Sequence, residues 1–163
     1  PDYAKQLRNV EVLVSRSAYP AAMRLLTTLR ASAEKSTALS DDLRKRMLKL
    51  EARMLAAQGG ASEAQTKILE EIVRLDPLDG DALILLGQCA AASNMEKAIF
   101  YYERAANIEA FEADAKLRHA QLLVKVGKYQ DALPLLKRAH ELKPREDVQR
   151  YAEQVERAAR RSR

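Results

Sequence analysis

The sequence contains two stretches that repeat each other with a shift of 33 to 34 residues. The first stretch reads LILLGQ at residues 83–88 and YYERA at 101–105, and the second reads LRHAQ at 117–121 and LLKRA at 135–139. Both place a small, a large and a second small residue at matching positions: Ala98, Tyr102, Ala105 and Ala132, Leu136, Ala139. This period is typical of stacked helical repeats, in which each unit buries its apolar face only against its neighbours.

Length and composition favour a single all-α domain over residues 1–163. The chain has 163 residues, of which 47% are hydrophobic but only 5% aromatic, with no Trp. Abundant Ala and Leu suit close helix packing better than strands. A chain of this length supports one continuous core and not two independent ones.

Charge, cysteine content and hydropathy bound the class of protein. The net charge of +5 comes from 28 basic and 23 acidic residues, and they are interspersed as expected for solvated helix faces, so nucleic acid is not implied. Cys89 is the single cysteine, which excludes an internal disulfide framework. No apolar run approaches the ~20 residues of a membrane span, and no signal peptide is evident. We expect a soluble chain that lacks any targeting segment, and its compartment stays open.

Helical periodicity and breakers predict nine helices. Pro20 suits the first turn of a helix, Gly59-Gly60 offers a helix end, and a fourth helix should start near Ser62 and end before Pro77. Gly127 separates the seventh and eighth predicted helices. The expected hairpins cover about residues 3–33, 41–76, 80–110 and 112–144. A last amphipathic helix, about 145–160, has no following partner and suits a cap.

These residues resemble the tetratricopeptide repeat (TPR). The matching positions in the third hairpin are Leu83, Leu86, Gly87, Ala90, Ala98, Tyr102 and Ala105. Those in the fourth are Ala120, Leu123, Gly127, Tyr129, Ala132, Leu136, Ala139 and Pro144. The two earlier hairpins match fewer positions, His119 stands where the family prefers Leu, and Ala110 replaces a proline. The resemblance implies a right-handed α-solenoid of helical hairpins with a C-terminal capping helix.

The resemblance also implies that the first helix of each hairpin lines a concave binding face. Carried over by position, that face holds Arg46, Lys49, Leu50, Arg53, Ile84, Leu85, Gln88, Leu117, Arg118, Gln121 and Lys125. Leu50, Ile84, Leu85 and Leu117 would form an apolar floor beside a basic set. Such a groove suits an amphipathic helix or an extended acidic peptide. The alternative is that neighbouring units cover the floor and the cations are ordinary solvated charges.

Two more specific functions find little support. Chaperone-tail recognition in this family needs Lys and Asn at set positions, but Asp114 stands at one of them and would repel a terminal carboxylate. For catalysis, His119, His140 and Cys89 lack partners at useful spacing, no glycines form a phosphate loop, and no cluster has zinc spacing. We therefore expect no enzyme activity, cofactor, metal or small-molecule substrate.

Three hypotheses of function remain. The first is a non-catalytic scaffold that binds a peptide or protein segment in the concave groove. The second is a self-association module, because open ends of a repeat array expose apolar surface. The third, less favoured, is an adaptor for nucleic acid or membrane through Arg157, Arg160, Arg161 and Arg163, which lack interleaved aromatic residues.

Overall fold

The computed structural model of the chain describes residues 2–35, 39–59 and 63–162. Within these ranges it contains nine α-helices, one short 3-10 helix and no strand. The α-helices are α1 (Tyr3–Ser15), α2 (Tyr19–Glu34), α3 (Asp41–Gly59), α4 (Glu63–Leu75), α5 (Gly80–Ala90), α6 (Met95–Ala106), α7 (Glu112–Lys125), α8 (Tyr129–Leu142) and α9 (Glu146–Arg161), and the 3-10 helix is Glu109–Phe111. None of the described helices is long and apolar enough to cross a membrane. Gly60, Ser62 and the middle of the predicted connection between α2 and α3 lie outside the described residues.

The helices belong to two compact units, Pro1–Pro77 and Leu78–Arg163. The first contains α1–α4 and the second contains α5–α9. We call α1, α3, α5 and α7 first helices, and α2, α4, α6 and α8 second helices, after their order in the hairpins. A cluster of buried hydrophobic residues lies within each unit.

The core of the first unit lies between α1, α2 and α3. Its buried members are Tyr3, Leu7, Val10, Val14, Ala22, Leu26, Leu29, Ala33, Met47, Leu50 and Met54. Charged side chains link the helices around this core, because Arg46 donates to Glu11 at 2.8 Å and Arg30 donates to Glu51. Residues distant in sequence are thereby connected at the rim as well as in the core.

Two hairpin turns use the same helix-ending motif. After α7, Gly127 has φ +80°, and the backbone N–H of Lys128 donates to the Leu123 carbonyl at 2.9 Å. After α1, Ser17 takes the same place with φ +58°, and the N–H of Ala18 donates to the Leu13 carbonyl at 2.9 Å. A left-handed residue satisfies carbonyls that the helix end leaves unpaired. Gly127 was predictable in this role from the sequence, but Ser17 was not, because serine is seldom used there.

In the second unit, Gly87 of α5 lies directly against the ring of Tyr102 on α6. A Cβ atom added to Gly87 would lie 2.4 Å from the Tyr102 ring, which is closer than atoms can approach. In the next hairpin Ala120 and Leu136 occupy the equivalent positions and are both fully buried in one cluster. Ala120 is larger than Gly87, and Leu136 is smaller than Tyr102. The two pairs therefore divide a similar total side-chain volume differently between the first and the second helix.

The last helix, α9, packs against α8 through Val148, Val155 and Ala159, which are buried. Most of its remaining surface carries exposed charged residues. A helix with one apolar and one strongly polar side is suited to covering the end of a helical stack.

Replacing Gly87 by Ala should destabilise the protein, although Ala favours a helix by about 1 kcal/mol over Gly. The added methyl group would overlap the Tyr102 ring, and forcing extra volume into a packed core costs roughly 1–3 kcal/mol. Urea denaturation would measure the loss.

The double variant Gly87→Ala/Tyr102→Leu reproduces the Ala120–Leu136 combination. It should be more stable than the sum of the two single changes implies, because each change compensates for the other. Gln88→Ala, an exposed neighbour, is the control. If the changes in unfolding free energy of the two single variants simply add up to that of the double variant, residues 87 and 102 do not compensate for each other's volume.

Candidate partner-binding site

The eleven residues predicted for the concave face divide between the two units, four in the first and seven in the second. In the first unit all four lie on α3. Lys49 and Arg53 are exposed and four residues apart, so they lie on one side of the helix. Arg46 is half-buried and bound to Glu11 of α1.

Leu50 and Ile84, two of the four residues predicted for the apolar floor, are buried. Leu50 is 7% exposed and belongs to the core of the first unit, and Ile84 is 6% exposed. The reason for Ile84 is that α5 is apolar on nearly every side, with six of its eleven residues buried. Both side chains stabilise the fold and offer little surface to a partner. Leu85 and Leu117 are half-buried, and Gln88 is exposed.

The clearest surface of the second unit lies along α7. Leu117, Arg118, Gln121 and Lys125 recur at helical spacing, the first two half-buried and the last two exposed. The Arg118 Nε donates to Asp114 Oδ1 at 3.1 Å. This pair holds the guanidinium along the helix, because residues four apart are neighbours on its surface.

A pocket of about 260 Å³ opens beside this surface, between the start of α7, the end of α8 and the start of α9. Leu117 and Asp114 line it together with Phe111, Val148, Lys143, Arg145, Ala110, Ala113 and Ala139. Arg145 is bound to Asp147 at 2.6 Å, whereas Lys143 makes no ion pair within the described residues. The pocket therefore combines apolar walls with one uncommitted cation at its rim.

Leu117 was predicted for this site from the sequence, but Phe111, Lys143 and Arg145 were not. Phe111 lies in the segment where the family's closing proline is replaced, and its ring also packs on Gly80 at a distance that leaves no room for a Cβ atom. Phe111 and Arg145 are 34 residues apart, one repeat period. They therefore hold equivalent places in two successive repeats. This equivalence was the signal in the sequence that could have indicated that both line one pocket.

Tyr102 lies beneath the α5 and α7 surfaces. Burial raises the pKa of its phenol, with the charge of Arg118 acting in the opposite direction and that of Asp114 in the same one. Its hydroxyl therefore stays protonated across physiological pH, and its ring serves packing against α5.

Candidate catalytic groups do not converge. His119 lines a separate cavity of about 240 Å³ with Glu103 and Leu135, and His140 accepts the backbone N–H of Arg145 at Nδ1, 3.3 Å away. Cys89 is half-buried. Among the described residues no group of three or more His, Cys, Asp or Glu side chains has metal-binding geometry.

Comparison with solved structures identifies the fold. The crystal structure of YrrB, "a TPR protein with an unusual peptide-binding site", superposes with a TM-score of 0.68 at 16% identity, over 94% of this chain and 75% of YrrB. A MamA structure superposes with a TM-score of 0.69 at 13% identity, over 97% and 88% of the two chains. The chain has the TPR fold. A second MamA structure, from AMB-1, agrees, with a TM-score of 0.67 at 18% identity over 99% and 89%.

The TPR resemblance and the all-α solenoid class expected from the sequence are thus confirmed. No protein-family model matches the sequence, and no curated protein matches it. At identities below one fifth, the property that this chain shares with these proteins is the fold.

His119 should make the stability of this TPR fold sensitive to mild acid. Burial lowers the pKa of its imidazole, with the charge of Glu103 opposing the shift. The unfolded chain therefore takes up a proton first, and stability is lost as the pH falls from the ordinary His pKa of about 6.5 towards the lower folded value.

His119→Leu should lose less stability than the wild type between about pH 7.5 and about pH 5.5, as measured by urea denaturation. Glu112 titrates in more acid solution, because hydrogen bonds from Arg138 and Lys116 lower the pKa of its carboxyl. Equal losses in both proteins would show that His119 is not the responsible group.

Proposed function

We propose that this chain is a non-catalytic protein-interaction scaffold that binds a peptide or protein segment through its first helices. The TPR fold supports this proposal, because stacked helical hairpins present long, regularly spaced surfaces. YrrB, which has the same fold, is itself described as having a peptide-binding site. The enzyme classes have no comparable support among the described side chains.

The observation that carries the proposal is the pocket at the start of α7. Its walls include Phe111, Leu117 and Val148, and its volume of about 260 Å³ suits one large apolar side chain. Apolar side chains that enter such pockets supply most of the affinity at protein interfaces. The half-buried Leu117 is thus the member of the predicted apolar floor best placed to touch a partner.

The charges around the pocket indicate an acidic neighbour for that apolar side chain. Lys143 lies at the rim without an ion pair in the described part of the chain, and Arg118 engages Asp114 through its Nε alone. The remaining guanidinium N–H groups can donate to a carboxylate of the partner. We therefore propose a partner segment in which an apolar anchor adjoins Asp or Glu.

The α3 surface of the first unit presents Lys49 and Arg53 on one side. Exposed cations of this kind contribute more to the association rate and to specificity than to affinity. The C-terminal Arg run is not proposed as a nucleic-acid or membrane site, since it lacks interleaved aromatic residues and Arg163 lies outside the described residues.

Selection of random displayed peptides against the purified protein would test the proposal. Selected peptides should carry an apolar residue next to Asp or Glu. Lys143→Glu should weaken their binding by about tenfold or more, as expected for losing an attractive charge and gaining a repulsive one. Fluorescence anisotropy of labelled peptides would measure the change.

Lys128→Glu is the matched control, because Lys128 is also exposed, lies in the same unit and carries the same charge. It should leave binding unchanged. Leu117→Glu should abolish binding while the thermal transition confirms that the protein is folded. The proposal fails if no peptide is enriched, or if selected peptides bind Lys143→Glu and Leu117→Glu as tightly as the wild type.

A further inference from the structure

A second surface of this chain lies between the last two helices, away from the pocket described above. The cleft between α8 and α9 has a volume of about 520 Å³. Leu133, Leu136 and Ala152 form its apolar floor, and Lys137, His140, Glu141, Gln149, Glu153 and Glu156 form its rim. The lining residues span two helical turns on each helix, which is the form of a groove that receives another helix.

The rim of the α8–α9 cleft is acidic. Its lining contains three glutamates and one lysine, and His140 accepts the backbone N–H of Arg145 at Nδ1. Glu156 pairs with Arg160 and Glu141 with Arg138, so the glutamate of the rim that offers its charge to a partner is Glu153. Glu153 makes no ion pair within the described residues. The cleft therefore favours a helix that carries cations around a small apolar centre.

The outer side of α1 has this composition. Lys5, Arg8, Val12 and the C-cap residue Arg16 follow one another at intervals of three or four residues, and all four are exposed. We call this set the α1 stripe. Val12 is 46% exposed, and the three cations make no ion pair within the described part of the chain. The one glutamate of α1, Glu11, is bound to Arg46.

No other described helix combines these properties. The exposed large apolar residues are Val12, Leu78, Phe100 and Val126, of which only Val12 and Phe100 lie within α-helices. Phe100 has Glu96 and Glu103 beside Lys97 and Arg104 on its helix, so its surroundings are mixed in charge. The α1 stripe is the described surface of this chain that complements the acidic cleft.

We propose that the α8–α9 cleft binds the α1 stripe of a second copy of this chain. The contact joins two different surfaces, so a pair of copies keeps one stripe and one cleft open. Such a heterologous contact continues into a chain of copies unless it closes into a ring. This inference is independent of the peptide-binding proposal, since it uses neither the α7 surface nor its pocket.

The association should be weak and sensitive to salt. Val12 and the aliphatic stems of Arg8 and Lys5 bury little apolar area, so the charges supply much of the attraction. Exposed charges are screened over a Debye length of about 10 Å at 0.1 M salt. Larger species should therefore form at low salt and high protein concentration, and should dissociate as salt is added.

Sedimentation velocity over a range of concentrations would test the proposal with two charge reversals. Arg8→Glu places a repulsive charge on the stripe and Glu153→Arg places one in the cleft. Each alone should raise the dissociation constant at least about tenfold. The double variant Arg8→Glu/Glu153→Arg restores opposite charges across the contact, and it should recover association that both single variants lose.

An equimolar mixture of the two single variants gives a second test of the same contact. The first variant keeps an intact cleft and the second keeps an intact stripe, so the mixture contains one unaltered pair of surfaces. It should therefore associate more strongly than either variant alone at the same total concentration.

Arg24→Glu and Glu109→Arg are matched controls, because both residues are exposed and lie outside the stripe and the cleft. They should associate like the wild type, and thermal melting should show all variants folded. A wild type that is monomeric at every concentration and salt would overturn the proposal. Association that Arg8→Glu and Glu153→Arg leave unchanged would also overturn it.

Discussion

The structure depends on how closely a first helix can approach the second helix of its hairpin. Gly87 lies under the Tyr102 ring at a distance that excludes even one methyl group. Tyr102 in turn lies beneath the α7 surface, where Arg118 and Asp114 act on its phenol. If the helices moved apart here, the α5 and α7 side chains offered to a partner would lose their common support.

Many of the charges in this chain hold helices together and are not available to partners. Arg46 binds Glu11, Lys45 binds Asp76, and Glu112 receives hydrogen bonds from both Lys116 and Arg138. The count of 28 basic residues therefore overstates the number of cations that a partner meets. The cations best placed for a partner are local, namely Arg53 on α3, Lys143 beside the pocket, and those on the outer side of α1. Recognition by this chain is accordingly expected to depend on position more than on overall charge.

The fold was accessible from the sequence because its determinants are periodic. The 34-residue spacing of Ala98, Tyr102 and Ala105 against their counterparts reflects contacts that recur from one hairpin to the next. The site was only partly accessible. Their positions in the repeat predicted that Leu50 and Ile84 lie on a binding face. Burial, however, depends on which side chains pack over them in three dimensions, and both are buried. The pocket joins Leu117 to Phe111 and Lys143, which come from connections and helix ends that no helical period describes.

The exchange of volume between Gly87–Tyr102 and Ala120–Leu136 has a consequence for engineering this chain. A consensus repeat takes the commonest residue at each position independently, and here that procedure could combine Ala with Tyr across one crossing. Such a hybrid would contain more atoms than the space accepts, although each residue is native to its position in one of the hairpins. In an idealised version of these repeats, the two residues of a facing pair therefore have to be chosen together. Choosing each position of the repeat separately would lose the match in volume.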